Sequence, residues 1–254
     1  MILILSGTQD AREIIDLLLE KSYPLIITTA TSYGASLISQ HPLCEVIAKK
    51  CNQHEIEEII KDRKVKLLID ATHPYATEVS KNAMNACEHS NIFYFRYQRN
   101  ESELDDYKGF IQYVIDYEEA AEKLKDIKGN ILLTTGSKTL ETFAKKLDPN
   151  RLFPRVLPTS DVILKCEKLN ILPSNIIAMQ GPFSIDMNLE IIKKYNIEVI
   201  VTKESGTIGG TLEKIEAAKS SKSQILMIKR PSLNYKNRYN NINELIEKVG
   251  EVYA

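Results

Sequence analysis

Asp70, Thr72, His73 and Tyr75 crowd into one short run, Ile69-Asp-Ala-Thr-His-Pro-Tyr-Ala76. A carboxylate, a hydroxyl, an imidazole and a phenol presented together can hydrogen-bond a polar ligand, bind a carboxylate or give up a proton. His73 and Tyr75 are the candidate proton donors. Pro74 suits the first turn of a helix, where its missing N–H has no partner anyway. A structural reading also stands: Asp70 and Thr72 make turn hydrogen bonds, and Tyr75 packs between helix and sheet. The mostly apolar residues 65–69 lead into this run and a helical pattern comes after it. The polar groups therefore leave the carboxyl end of a strand, the edge at which open α/β sheets bind ligands.

Other strand-end loops carry glycine, hydroxyl and basic residues. In Ser6-Gly7-Thr8-Gln9-Asp10-Ala11-Arg12, Gly7 admits a ligand close to the backbone and Thr8 lies beside it. The following helix offers N–H groups to an anion, and Arg12 can clamp it. The same residues also make an ordinary turn capped by Thr8 or Asp10. Thr31 and Ser32 are hydroxyls for a ligand or for a helix cap. Gly136 and Ser137, followed by Lys138, form either a phosphate seat or a plain glycine turn. Gln180 can hydrogen-bond an amide or ring edge, Gly181 opens the backbone, Pro182 fixes a bend and Ser184 caps a helix. Phe183 stacks on a planar ligand or packs in the core. Lys203 stands at the mouth of Glu204-Ser205-Gly206-Thr207-Ile208-Gly209-Gly210, whose glycines suggest a backbone nest for an anion.

Several chemistries lack their signatures. No G-x-S-x-G elbow, H-E-x-x-H pair or P-loop spacing is present. The four cysteines are scattered without C-x-x-C spacing, so neither a zinc site nor a redox dithiol is expected, and no metal is assigned. A net charge of −1 gives no nucleic-acid footprint. No apolar run reaches membrane-spanning length, and the N-terminus lacks signal-peptide character. A cytoplasmic protein is the expectation.

Short apolar runs alternate with amphipathic segments almost throughout. Strands are expected at 2–5, 25–30, 43–48, 67–70 and 92–95, with helices at 11–21, 34–40, 54–61 and 76–89. A polar stretch, 99–108, then reads as a linker. Alternation resumes with strands at 110–115, 130–135, 152–157, 175–180, 198–203 and 224–229. Helices fall between them at 118–124, 139–146, 160–168, 184–195 and 212–219, with a last one at 243–249. This order predicts an α/β fold of two Rossmann-like parallel-sheet halves, 1–98 and 109–254, with a cleft between them.

Taken together and in order, SGTQDAR, TATSYG, DATHPYA, TTGSKTL, MQGPFS, TKESGTIGGTLEKIEAA and IKRP resemble the precorrin-6A reductase family, including its cobalt-precorrin-6A branch. Ser6, where members often carry glycine, and Glu204, where many carry asparagine, depart from that pattern. The resemblance implies reduction of a corrin-precursor macrocycle in vitamin B12 biosynthesis, with hydride from NADPH or NADH. It implies a dinucleotide held at Gly7, Thr8, Gly136, Ser137, Gln180, Gly181, Pro182, Ser184, Lys203, Ser205, Gly206, Gly209 and Gly210. The tetrapyrrole substrate would then meet Arg12, Thr31, Ser32 and the turn Asp70, Thr72, His73, Pro74, Tyr75. Transient contact with neighbouring pathway enzymes is a further expectation. A reductase of another substrate, or an α/β transferase binding S-adenosylmethionine or a nucleotide, remains the alternative.

Overall fold

The computed structural model describes residues 1–100, 104–204 and 210–253. The chain divides into two units: Met1–Asn100 together with Pro231–Ala254, and Glu101–Arg230.

The first unit is built from β1 (Ile2–Leu5), α1 (Gln9–Glu20), β2 (Leu25–Thr29), α2 (Ser32–Ser36), β3 (Cys44–Ala48), α3 (Gln53–Asp62), β4 (Leu67–Asp70), α4 (Thr77–His89) and β5 (Phe93–Tyr97). β1, β2 and β4 are buried at every position. Strands covered on both faces read as continuous apolar runs rather than alternating ones, which is why they stand out in the sequence. Local chemistry fixes the helix starts. Asn52 and Glu55 form a reciprocal capping box ahead of α3.

The second unit continues with β6 (Ile111–Val114), α5 (Tyr117–Leu124), β7 (Asn130–Leu133), α6 (Leu140–Ala144), β8 (Leu152–Val156), α7 (Ser160–Lys168), β9 (Ile177–Ala178), α8 (Ile185–Lys194), β10 (Ile197–Lys203), α9 (Thr211–Ser221) and β11 (Gln224–Ile228). The chain then returns to the first unit as β12 (Arg238–Tyr239) and α10 (Ile242–Tyr253).

Among the described residues each unit holds a six-stranded sheet whose pairings are parallel. The first runs β12-β5-β4-β1-β2-β3 and the second β6-β11-β10-β7-β8-β9. Both are doubly wound. The strand order reverses between β1 and β4 in one sheet and between β7 and β10 in the other. At such a reversal the loops leaving the two central strands diverge, and the crevice at their carboxyl ends takes ligands. The fold therefore marks the loops after β1, β4, β7 and β10.

The expected domain boundaries change at both ends of the second half. Residues 231–254 do not belong to a 109–254 domain. Leu245, Ile246 and Val249 of α10 pack with Ile2, Ile4, Ile14, Leu18 and Ile69 in one core of the first unit. Arg238 and Tyr239 pair with Arg96 and Tyr97 of β5. Within the expected linker 99–108, Arg99 reaches Asp10 of the first unit at 3.2 Å. Leu104 is buried in a core of the second unit beside Ile111 and Leu132. Residues 101–103 lie outside the described residues. The helix expected at 34–40 spans Ser32–Ser36, and the strand expected at 175–180 shortens to Ile177–Ala178. No helix among the described residues is long and apolar enough to cross a membrane.

Candidate active site

The first site loop is tied by one threonine. Gly7 has φ +146 and nothing within 4 Å of where a Cβ would sit, so the backbone is open to an approaching group. Thr8 comes next in an extended conformation and caps α1, its hydroxyl accepting from the Ala11 N–H at 3.0 Å. The same hydroxyl donates to the Ala71 carbonyl at 2.9 Å. The loops leaving β1 and β4 are thus held together across the strand-order reversal. Arg12 folds back over the cap, its Nη1 donating to the Thr8 carbonyl at 3.3 Å. Thr8→Val keeps the shape and removes both side-chain bonds. A loss of about 1–2 kcal/mol is expected from the cap and the buried acceptor left behind, measured by urea denaturation.

Asp70 ends β4 and is 0% exposed. Its Oδ1 accepts from the Thr72 N–H at 3.0 Å, the Thr72 hydroxyl at 2.7 Å and Arg96 Nη1 at 2.6 Å. Its Oδ2 accepts from Ser80 at 2.6 Å and from the Tyr94 hydroxyl at 2.8 Å. Arg96, also 0% exposed, donates from Nη2 to the Thr72 carbonyl at 3.0 Å. Its guanidinium lies 5.3 Å from the centre of the Tyr235 ring. Burial, reinforced by the Asp70 charge, holds the Tyr94 phenol far above its ordinary range, so it stays a donor. This network corrects the expectation that Asp70 meets substrate: its carboxylate is enclosed by these donors, and it shapes the turn instead. Arg96, Tyr94, Ser80 and Tyr235 went unread as site residues. The available signal was Arg96 itself, a charge inside the otherwise apolar FYFRY strand.

Beyond this network the chain presents His73, Pro74 and Tyr75. His73 and Tyr75 are half-buried, with ring centres 5.5 Å apart, while Pro74 is buried between them. The Tyr75 N–H donates to His73 Nδ1 at 3.3 Å. In a neutral imidazole that bond leaves the proton on Nε2. Pro74 lies within this turn rather than in a helix, because α4 begins at Thr77 and the Ala76 N–H bonds the His73 carbonyl at 2.8 Å. Thr31, at the end of the neighbouring β2, accepts from the Gly34 N–H at 3.0 Å and so caps α2, with Ser32 exposed next to it.

The second unit repeats the arrangement with different chemistry. After β7, Gly136 takes φ +87, and nothing lies within 4 Å of a would-be Cβ. Ser137 and Lys138 form a short 3-10 turn behind it. Thr139 braces that turn by donating to the Gly136 carbonyl at 3.1 Å. After β9 come Gln180, Gly181, Pro182 and Phe183, then Ser184, whose hydroxyl caps α8 by accepting from the Met187 N–H at 3.2 Å. A Cβ on Gly181 would meet the Phe183 ring at 3.0 Å, so the ring would have to give by a few tenths of an ångström to admit a side chain there. Phe183 faces Arg155 of β8, whose guanidinium lies 4.0 Å from the ring centre. Arg155 Nη1 also donates to Asn188 Oδ1 at 2.7 Å. Gly210 starts α9 in the left-handed region, φ +63. Ser205, Gly206 and Gly209 lie outside the described residues. Glu204 is buried and paired with Arg230.

The cations here are perturbed. Burial, and then the Lys138 charge, lower the Lys203 ammonium to about 8. Burial lowers Arg155 to about 10. Lys214, in the first turn of α9, is lowered to about 7 by burial, then by Arg155. Arg155 and Lys214 were missed in the sequence. Their signal is the one that marks Arg96: a charge placed where the pattern demands an apolar residue, in LFPRV and in TLEKI. Among the described residues the expected positions divide: Gly7, Thr8, Arg12 and the Asp70–Tyr75 turn stand at the β1/β4 reversal, Gly136, Ser137 and Lys203 at the β7/β10 reversal, while Thr31 and Ser32 follow β2 and Gln180, Gly181, Pro182 and Ser184 follow the edge strand β9.

A family profile described as "Precorrin-6x reductase CbiJ/CobK" matches residues 1–250. The chain belongs to this family. A cobalt-precorrin-6A reductase from Priestia megaterium is 39% identical over 249 residues, covering 97% of this chain and 96% of that one. Another from Methanococcus maripaludis is 37% identical over 253 residues, covering 98% of each. A solved structure named CobK precorrin-6A reductase superposes with a TM-score of 0.82 at 20% identity, over 99% of this chain and 96% of that one. That likeness speaks for the fold. Membership of the precorrin-6x reductases makes the chain an oxidoreductase of corrin-ring biosynthesis.

Proposed function

We propose that this precorrin-6x reductase acts on cobalt-precorrin-6A, reducing it to the dihydro product with NADPH or NADH. The observation that carries the reading is near-full-length identity above one third to relatives that bear the cobalt-containing substrate in their names. The nicotinamide supplies the hydride when bound. The second unit suits the dinucleotide. Gly136 offers a turn that no side chain obstructs, and Lys203 brings positive charge to the same strand-end edge. Gln180, Gly181, Pro182 and Ser184 border it, with Phe183 to meet a planar ring. The first unit suits the macrocycle. Arg12 offers a cation for a ring carboxylate, and Thr72, His73 and Tyr75 offer polar contact on a turn that Asp70 and Arg96 hold fixed.

In this reading the protein's work is placement, because the hydride chemistry belongs to the cofactor. Bringing donor and acceptor carbons to about 3–3.5 Å supplies much of the rate gain. His73 or Tyr75 gives the proton that the neighbouring carbon needs. The test is anaerobic incubation with cobalt-precorrin-6A or metal-free precorrin-6A and each nicotinamide, followed by absorbance at the pigment bands. Faster turnover of the cobalt-loaded ring is expected. Preference for the metal-free ring overturns the choice of substrate. NAD(P)H oxidation with neither ring overturns the reading itself.

A further inference from the structure

The second unit buries a guanidinium where the strand pattern demands an apolar side chain. β8 is buried at every position, and Arg155 within it is 8% exposed. Burying a charge costs free energy, and an apolar side chain of similar volume often serves stability as well or better. Stability alone therefore does not account for Arg155. Its contacts point elsewhere. Nη1 donates to Asn188 Oδ1 at 2.7 Å, and the guanidinium carbon lies 4.0 Å from the centre of the Phe183 ring.

Both contacts fix the loop after β9. Asn188, 1% exposed on α8, turns its Nδ2 back to the Ser184 carbonyl at 2.8 Å and the Phe183 carbonyl at 3.4 Å. Arg155 thus orients the amide that grips the backbone at Phe183. The ring itself is held by the guanidinium and, at its edge, by Gly181, where a Cβ would lie 3.0 Å from Cε2. Phe183 is nonetheless only half-buried. Met179 before it is 41% exposed, and Ile185 and Met187 after it are 42% and 43% exposed. The loop leaves the carboxyl edge of the sheet, since the Met179 N–H still bonds the Val156 carbonyl of β8 at 2.9 Å. A ring locked in place among exposed apolar side chains at that edge suits a planar ligand.

We propose that Arg155 is a positioning residue that holds Phe183 as a stacking platform for one of the two planar bases of the dinucleotide. The inference rests on the reading that the dinucleotide seats in the second unit. A ring that is already immobile loses little freedom on stacking, so more of the contact reaches the affinity. The first unit uses the same device, with buried Arg96 fixing the turn beyond Asp70.

Titration of the full chain with NADPH and with NADH, read by the fluorescence of the reduced nicotinamide, gives the dissociation constants. Phe183→Leu should weaken the tighter of the two by roughly 5- to 50-fold, the worth of stacking a base on an aromatic ring. Phe183→Tyr keeps the ring and should stay within about threefold of the wild type. Arg155→Met should weaken binding by about 3- to 10-fold alone. In the Phe183→Leu background it should add less than about twofold, because its effect passes through the ring. Arg155→Lys supplies the same cycle if the Met variant does not fold. Factors that simply multiply overturn the positioning role. ADP, as a competitor, carries adenine without nicotinamide. Where Phe183→Leu weakens the whole cofactor, an equal loss for ADP assigns the platform to adenine and an unchanged ADP affinity assigns it to nicotinamide; either supports the platform. Wild-type affinity in Phe183→Leu beside weakened binding in Lys203→Met overturns the platform and leaves the cofactor placement standing. Wild-type affinity in Phe183→Leu, Arg155→Met and Lys203→Met overturns that placement, and the platform with it.

Discussion

Arg96→Met destabilises the first unit by about 3–5 kcal/mol. Arg96 and Asp70 are both 0% exposed and 2.6 Å apart. Removing the guanidinium leaves a carboxylate in the interior without its countercharge, and that residual charge, more than the lost bond, sets the cost. Thr72 loses the donor to its carbonyl, so the His73–Tyr75 turn loosens as well. The double variant Asp70→Asn with Arg96→Met removes both charges at similar volume and should regain a large part of the loss. Because the chain holds two units, one melting temperature is a poor readout. Hydrogen exchange of the β4 and β5 amides, followed by mass spectrometry in increasing urea, measures the local effect. A single-variant cost below about 1 kcal/mol would mean that the pair contributes no more than an exposed one.

The second large effect concerns the proton. Reduction of a carbon–carbon double bond adds a hydride to one carbon and a proton to its neighbour. His73 presents an imidazole whose Nδ1 accepts from the Tyr75 N–H, which puts the proton of the neutral ring on Nε2. Tyr75 stands beside it with the rings 5.5 Å apart. Combining His73→Gln with Tyr75→Phe should lower kcat by about 10²–10⁴, the usual worth of a positioned acid. KM for the dinucleotide should change less than about twofold, since most of the proposed cofactor loops belong to the other unit. Each single variant then shows which side chain donates. Wild-type turnover in the double variant would mean that water delivers the proton and the turn only binds the ring.

Legibility in the sequence tracked the physics of each element. Continuous apolar runs such as Ile2–Leu5 and Leu67–Ile69 announce strands covered on both faces. Thr8 and Ser184 announce helix starts, and the structure shows both as caps. These signals are local, so a single stretch of residues carries them. β12 is two residues long in a polar neighbourhood, and nothing local marks it. Its pairing with β5 depends on where the chain arrives after crossing the second unit.

Site residues divide the same way. Gly136 and Gly210 were legible as special backbone positions, and both have positive φ. Family membership was legible in the ordered set of strand-end loops, because those loops must keep their residue types wherever ligand chemistry constrains them. Asp70 was legible as a polar residue at a strand end, but its role was not. Whether a carboxylate faces a ligand or a buried arginine turns on Arg96, Ser80, Tyr94 and the returning Tyr235.

The amino-acid order by itself therefore determined the alternation of strands and helices, the caps, the glycine turns and the family. Tertiary structure decided which unit receives the C-terminal segment, that Asp70 supports the turn, and that Arg155 and Lys214 lie buried. The reason is range. Backbone propensity and hydrophobic period act over a few residues, whereas charge–charge and burial energies depend on distances that only the folded chain sets.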